Sequence, residues 1–94
     1  MFVIEDEDHA EHHGRFDTLE AALEELRRRA RIPWDQSPNK APCMSWKTCG
    51  RRYVIIEYDG SSEWTRELRR VEALEISKAG VRWATGLEHG PARP

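Results

Sequence analysis

The segment DTLEAALEELRRRARIP, residues 17–33, contains the strongest secondary-structure signal in the chain. Apolar residues recur in it at spacings of three and four, which places them on one face of a helix. These residues are Leu19, Ala22, Leu23, Leu26 and Ala30. Pro33 disfavours helical geometry at Ile32, so the pattern predicts one amphipathic helix from about Thr18 to Arg31.

The charges of this segment suit a helix dipole. Asp17 is expected to cap the first turn, with the Glu20 side chain reaching back to the amide of the cap residue. Acidic residues precede basic ones, and this order favours the dipole. The pairs Glu24 with Arg28 and Glu25 with Arg29 have the four-residue spacing at which opposite charges attract on a helix surface.

Short segments on both sides of the helix have the composition of strands. The clearest is RYVIIEY, residues 52–58, because it is rich in β-branched and aromatic residues and precedes a turn sequence. Gly80 lies between two alternating segments and is expected to take a positive φ in a hairpin turn. The candidate strands are residues 2–4, 12–16, 52–58, 64–71, 74–77 and 81–83.

The order β-β-α-β-β-β predicts an α+β fold, in which a small antiparallel sheet of about four to five strands carries one helix packed on one face. The other face is expected to be wetter. A chain of 94 residues has the size of a single domain. We therefore expect one α+β domain over residues 1–83, with a long irregular loop at 33–50, and a flexible C-terminal tail at 84–94.

The net charge is -2, but it is unevenly distributed. Residues 1–26 hold nine acidic groups and one arginine, a sum of -8, whereas residues 27–58 hold eight basic and two acidic groups, a sum of +6. The acidic part is therefore expected to lie beside the basic part. A slightly acidic chain argues against nucleic-acid binding, although three arginine clusters keep it as an alternative if they share one surface. The clusters are Arg27, Arg28, Arg29 and Arg31; Arg51 and Arg52; and Arg66, Arg69 and Arg70.

The sequence favours a cytoplasmic protein without a membrane segment. Its first residues lack the apolar run of a signal peptide, and the longest aliphatic stretch, Val54-Ile55-Ile56, is too short to cross a bilayer. Two cysteines are too few for a disulfide scaffold, so thiols are expected. The chain has no phosphate-binding glycine loop, zinc-protease helix or serine nucleophile motif, so no cofactor and no metal are expected.

Residues 33–50 are unusual, because they hold three of the five prolines, two of the four tryptophans and both cysteines. One interpretation is a loop that completes the core, with Trp34 or Trp46 at least half buried. A second is a recognition surface for another protein. The four residues judged too polar to pack are Asn39, Lys40, Ser45 and Lys47. The residues predicted to bind a partner are Met44, Trp46, Lys47 and Arg51.

The cysteines leave an enzymatic alternative open. Cys43 and Cys49 are separated by five residues, which fits neither a thioredoxin-like motif nor the usual zinc spacing. Nearby arginines would lower the pKa of Cys49, but a nucleophile also needs a base such as histidine within reach. His12 and His13 point to opposite faces of a strand, so they cannot share a metal without a bulge.

Three classes of function are compatible with the sequence. A non-catalytic protein-interaction module, which uses its sheet edge or its aromatic loop, is the leading hypothesis. The first alternative is a small thiol- or metal-dependent enzyme centred on Cys43 and Cys49 with a nearby histidine. The second alternative is nucleic-acid binding through the arginine clusters.

Overall fold

The structure is a computed structural model that describes residues 1–41, 50–59 and 66–84. Its elements are β1 (Phe2–Asp6), β2 (Glu11–Phe16), α1 (Leu19–Ala30), β3 (Arg51–Tyr58), β4 (Glu67–Ser77) and β5 (Gly80–Trp83). Adjacent strands pair in antiparallel fashion, in the order β2-β1-β3-β4-β5. The α+β class, the strand-helix order and the five-stranded sheet with one helix are thereby confirmed.

The cap of the helix lies one residue later than predicted. Thr18 is the N-cap, in an extended conformation, and its Oγ1 accepts a hydrogen bond of 3.1 Å from the amide of Ala21. The prediction that Asp17 caps the helix with Glu20 is therefore wrong. Both Asp and Thr are good caps, and moving the cap to Thr18 puts Ala21 rather than Glu20 at the position that a capping box needs.

Ion pairs run along the polar side of α1. The expected pair between Glu25 and Arg29 is present, with 2.6 Å between Oε2 and Nε. Arg28 turns to Glu25 as well, at 2.7 Å, and Glu24 pairs with Arg27 at 3.3 Å instead of the predicted Arg28. Pairs three residues apart compete with those four apart, because both spacings bring side chains together on a helix.

Strand β4 joins two segments that the sequence pattern separates. The register with β3 shifts between Tyr53, which pairs with Leu74, and Val54, which pairs with Glu72. Ala73 is the extra residue of this β-bulge, and the extra residue breaks the alternation along the strand. Residues 64 and 65 of the first predicted segment lie outside the described residues, and from Glu67 the strand runs for eleven residues.

The core lies between α1 and one face of the sheet. The predicted helix face is confirmed, because Ala22, Leu23 and Leu26 are fully buried. They pack in one cluster with apolar side chains of the three inner strands. These sheet residues are Ile4, Tyr53, Ile55, Ala73, Leu74 and Ile76.

The second face of the sheet is drier at its centre than predicted. Val3, Val54 and Ile56 alternate with core residues along β1 and β3, and all three are fully buried. Beside this strip lie charged side chains, including Arg70, which pairs with Glu7 at 3.0 Å. The second face is therefore dry in the middle of the sheet, where β3 has a neighbouring strand on each side, and exposed at charged residues such as Glu72 and Arg82.

The acidic N-terminal part does lie against the basic middle part of the chain. Strand β1 pairs with β3, and Arg52 lies within 3.2 Å of Glu7 and 3.1 Å of Asp8. The opposite charges of the two segments are thus complementary within the fold. Helix α1 has twelve residues, and no helix in the described ranges is long and apolar enough to cross a membrane.

Leu23→Ala should lower the free energy of unfolding by about 2 to 5 kcal/mol, because it leaves a cavity in the core. Glu24→Ala is the matched control on the exposed side of the helix, and it should cost at most about 1 kcal/mol. Chemical denaturation of both variants measures the difference. Equal losses would show that the core face of α1 has been assigned wrongly.

Candidate partner-binding site

Arg51 is the one predicted partner-binding residue that the structure describes. Met44, Trp46 and Lys47 lie outside the described residues, as do Ser45 and the two cysteines Cys43 and Cys49. The roles assigned to these residues therefore stay predictions.

The side chain of Arg51 is 8% exposed and is bound within the chain. Its Nη1 donates to Asp6 at 2.9 Å and to Glu11 at 2.5 Å. Its Nε and Nη2 donate to the carbonyl oxygens of Pro38 and Lys40, at 3.2 and 2.8 Å. Burial disfavours the charged guanidinium, but the two carboxylates outweigh it and raise the pKa of Arg51. The guanidinium joins three strands to the segment that follows α1.

Asp6 is the fully buried counter-ion at the end of β1. Besides Arg51, it accepts hydrogen bonds from His9 Nδ1 at 2.5 Å and from the amides of Asp8 and Arg52 at 3.1 and 3.2 Å. Burial alone would raise the pKa of this carboxyl group. The donors from Arg51, His9 and Arg52 prevail and lower the pKa, so Asp6 is ionised at neutral pH.

Asn39 connects the end of the helix to the sheet. Its Nδ2 donates to the carbonyls of Arg29 and Ile32, at 2.9 and 2.8 Å, and its Oδ1 accepts from the hydroxyl of Tyr53 at 3.0 Å. The prediction that Asn39 is too polar to pack is wrong, since it is fully buried. Burial is tolerated because the side chain satisfies carbonyl groups at the helix end, where the regular helical donors run out. Lys40 is exposed, as predicted.

His13 completes the cluster from β2. Arg29 Nη1 lies 2.8 Å from His13 Nδ1, and a guanidinium can only donate, so Nδ1 is the acceptor and the proton of the neutral ring is on Nε2. Nε2 lies 3.3 Å from Glu11. Burial and the positive charge of Arg29 lower the pKa of His13. The polar network, as we name it, consists of Asp6, Glu11, His13, Arg29, Asn39, Arg51 and Tyr53.

The histidines do not form a metal site in the part of the chain that the structure describes. His12 points to the face opposite His13, as predicted, and its Nε2 lies 3.2 Å from Glu5. No group of three or more potential ligands is found within residues 1–41, 50–59 and 66–84. His13 has both ring nitrogens occupied, so it is not placed as a free base for a thiol.

An apolar groove of about 290 Å³ lies between the end of α1, the segment that follows it, and the β4–β5 hairpin. Trp34 forms one wall and also packs against the core, so it is more than half buried, as predicted. Val81 of β5 also lines the groove and is 46% exposed. The apolar lining consists of Ala30, Ile32, Pro33, Trp34, Ile76 and Val81.

The rim of this groove is basic. Arg31 and Lys78 stand among its lining residues, both are exposed, and none of the described residues that line it is acidic. Within the described ranges neither cation has an ion pair of the kind that neutralises the arginines of α1. A concave surface with apolar walls and positively charged side chains attracts negatively charged groups.

The two edges of the sheet differ in their regularity. At one edge, the pairing of β2 with β1 contains a register shift, and Gly14 has φ +127°. Bulges of this kind protect an edge from pairing with another strand. At the other edge, β5 pairs with β4 in four consecutive positions from Gly80 to Trp83 without a shift. In the described part of the chain β5 therefore presents the regular edge, and the apolar groove lies beside it.

The arginine clusters do not share one surface. Arg27 and Arg28 lie on the solvent side of α1 and pair with its glutamates. Arg29 and Arg51 are buried, and Arg31 lines the apolar groove. Arg70 lies on the second face of the sheet, opposite Ile56, and pairs with Glu7. The described arginines therefore give no continuous basic face for a phosphate backbone.

Comparison of the chain with protein-family models, curated proteins and solved structures finds no match. No activity or partner is therefore supplied by a relative. The regular edge of β5 and the apolar groove beside it are the surface features that bear on function.

His13 makes stability dependent on pH. Its pKa is lowered in the folded state, so below about pH 6.5 the unfolded chain binds a proton that the native ring does not accept. The free energy of unfolding should therefore fall from about pH 7 to about pH 5.5, with a slope from this group of at most about 1.4 kcal/mol per pH unit. Denaturation at a series of pH values measures it.

His13→Gln should flatten this slope, because it removes the ring whose pKa is lowered in the folded state. An equal slope in the parent and in His13→Gln would contradict the neutral, arginine-bound state of His13.

Proposed function

We propose that the chain is a non-catalytic protein-interaction module that binds an extended segment of another protein by strand addition at β5. The observation that carries the proposal is the regular edge of β5 beside an apolar groove. An added strand would form main-chain hydrogen bonds with this edge and place alternate side chains in the groove.

The exposed apolar groups support this use of the edge. Leu68 and Val81 are the large hydrophobic residues that are most exposed in the described part of the chain, at 50% and 46%. Val81 is the one on the edge strand, and it lines the groove together with Trp34 and Pro33. An added strand would cover Val81 and remove its apolar surface from water.

The groove is small for a dedicated small-molecule site, since such pockets usually measure about 300 to 1,000 Å³. It suits one or two side chains of a bound segment. The partner-binding roles of Met44, Trp46 and Lys47, like the cytoplasmic location, remain predictions from the sequence and are compatible with this proposal. Arg51 contributes to the proposed site indirectly, because its buried guanidinium donates to carbonyl oxygens of the segment that includes the groove wall.

A capped, fluorescein-labelled peptide of seven residues, alternating Thr and Val, provides the test of strand addition. It should raise the fluorescence anisotropy saturably with the full-length chain. Methylation of the peptide nitrogens that face β5 should weaken binding at least tenfold, because it removes main-chain donors without changing the side chains.

Val81→Lys should weaken binding of the same peptide at least tenfold, since a lysine blocks the groove side of the edge. His12→Lys introduces the same side chain at the β2 edge and should leave binding unchanged. Equal affinities for the parent and Val81→Lys would overturn the proposed function.

A further inference from the structure

We infer that the segment bound at β5 is acidic, with an apolar side chain in the groove and a carboxylate two residues away on the same face. The inference rests on the proposed strand addition and specifies the partner's chemistry. It is carried by the position of Arg31 and Lys78 at the rim of the apolar groove.

The two cations come to the groove from different elements. Arg31 is the C-cap of α1, and Lys78 is in the turn between β4 and β5. Side chains two residues apart on a strand share one face. If one of them fills the groove beside Val81, the next on that face lies toward the turn and within reach of the basic rim. A carboxylate there would form charge-assisted hydrogen bonds.

Arg31 and Lys78 differ from the cations elsewhere on the molecule that are paired with acidic side chains. Arg27 and Arg28 bind glutamates of α1, Arg52 binds the acidic β1–β2 turn, and Arg82 binds Glu75 across β4 and β5. The groove, by contrast, has two cations and no acid among the described residues of its lining. Electrostatic complementarity therefore requires the negative charge to come from the partner.

A second copy of this chain fits the edge less well. Antiparallel pairing of β5 with β5 about Arg82 would place two guanidinium groups opposite each other, and like charges in that position are destabilising. It would also bring the basic rims of both copies to the same interface. A separate protein with an acidic extended segment avoids both repulsions.

Three capped peptides test the inference. The first is the neutral Thr/Val peptide. The second has Glu two residues before and two residues after a central Val, and the third has Lys at those two positions. The acidic peptide should bind at least tenfold more tightly than the basic one at about 0.05 M salt. The difference should shrink at about 0.5 M salt, because exposed charges are screened.

The double variant Arg31→Glu with Lys78→Glu should reverse the order of the acidic and basic peptides. Arg66→Glu with Arg69→Glu is the control, because it changes the net charge equally near the start of β4, where both arginines are exposed. The control should keep the preference for the acidic peptide. Denaturation of both variants verifies that they are folded.

The outcomes separate the inference from the proposed function. Binding of the neutral peptide without a preference for Glu over Lys would overturn the acidic partner and leave strand addition standing. No binding of any peptide would overturn both. Sedimentation of the chain as a dimer that excludes the peptides would show that a second copy occupies the edge, and it would also overturn the inference.

Discussion

The rest of the structure depends on the ion pairs and hydrogen bonds of the Arg51 guanidinium group. It extends from the first residue of β3 to Asp6 at the end of β1, to Glu11 at the start of β2, and to two carbonyls after α1. Desolvation cancels much of the net stability of such a buried ion pair, but removal of one partner costs about 3 to 5 kcal/mol because the other charge remains buried. The main effect of the buried ion pair is therefore to determine which segments of the chain meet. Its contribution to the stability of the fold is smaller.

The polar network links this constraint to the proposed binding surface. Arg51 and Asn39 fix the segment after α1 through main-chain carbonyls and through Tyr53, so Pro33 and Trp34 stand as a wall of the groove that Val81 also lines. A wall held in this way is preorganised, and a partner that binds it loses less conformational entropy than one that must order a loop. In the proposed binding mode the buried charges therefore serve recognition without contacting the partner.

Much of the fold could be predicted from periodicity and charge, but the site could not. The helix face and the contact of the acidic with the basic segment follow from patterns along the chain, whereas the bulge at Ala73 interrupts the alternation that defines β4 in sequence. A polar residue such as Asn39 is expected at the surface from sequence alone. Its burial depends on hydrogen bonds to the carbonyls of Arg29 and Ile32, which only the fold brings beside it. The groove combines residues 30–34 with residues 76–81, which only the strand order brings together. The one feature of the local sequence that indicated the groove was Trp34, because a large apolar side chain requires burial in so small a domain.

The polar network makes the segment after α1 part of the rigid scaffold, and native-state amide hydrogen exchange tests this most directly. The amides to follow are those of Asn39 and Lys40, which donate to the carbonyl of Gln36 at 2.8 and 2.9 Å. We predict that these two amides exchange nearly as slowly as those of β3, through openings that approach global unfolding. Exchange at the rate of an unstructured chain, while β3 stays protected, would contradict a scaffold held together by Arg51.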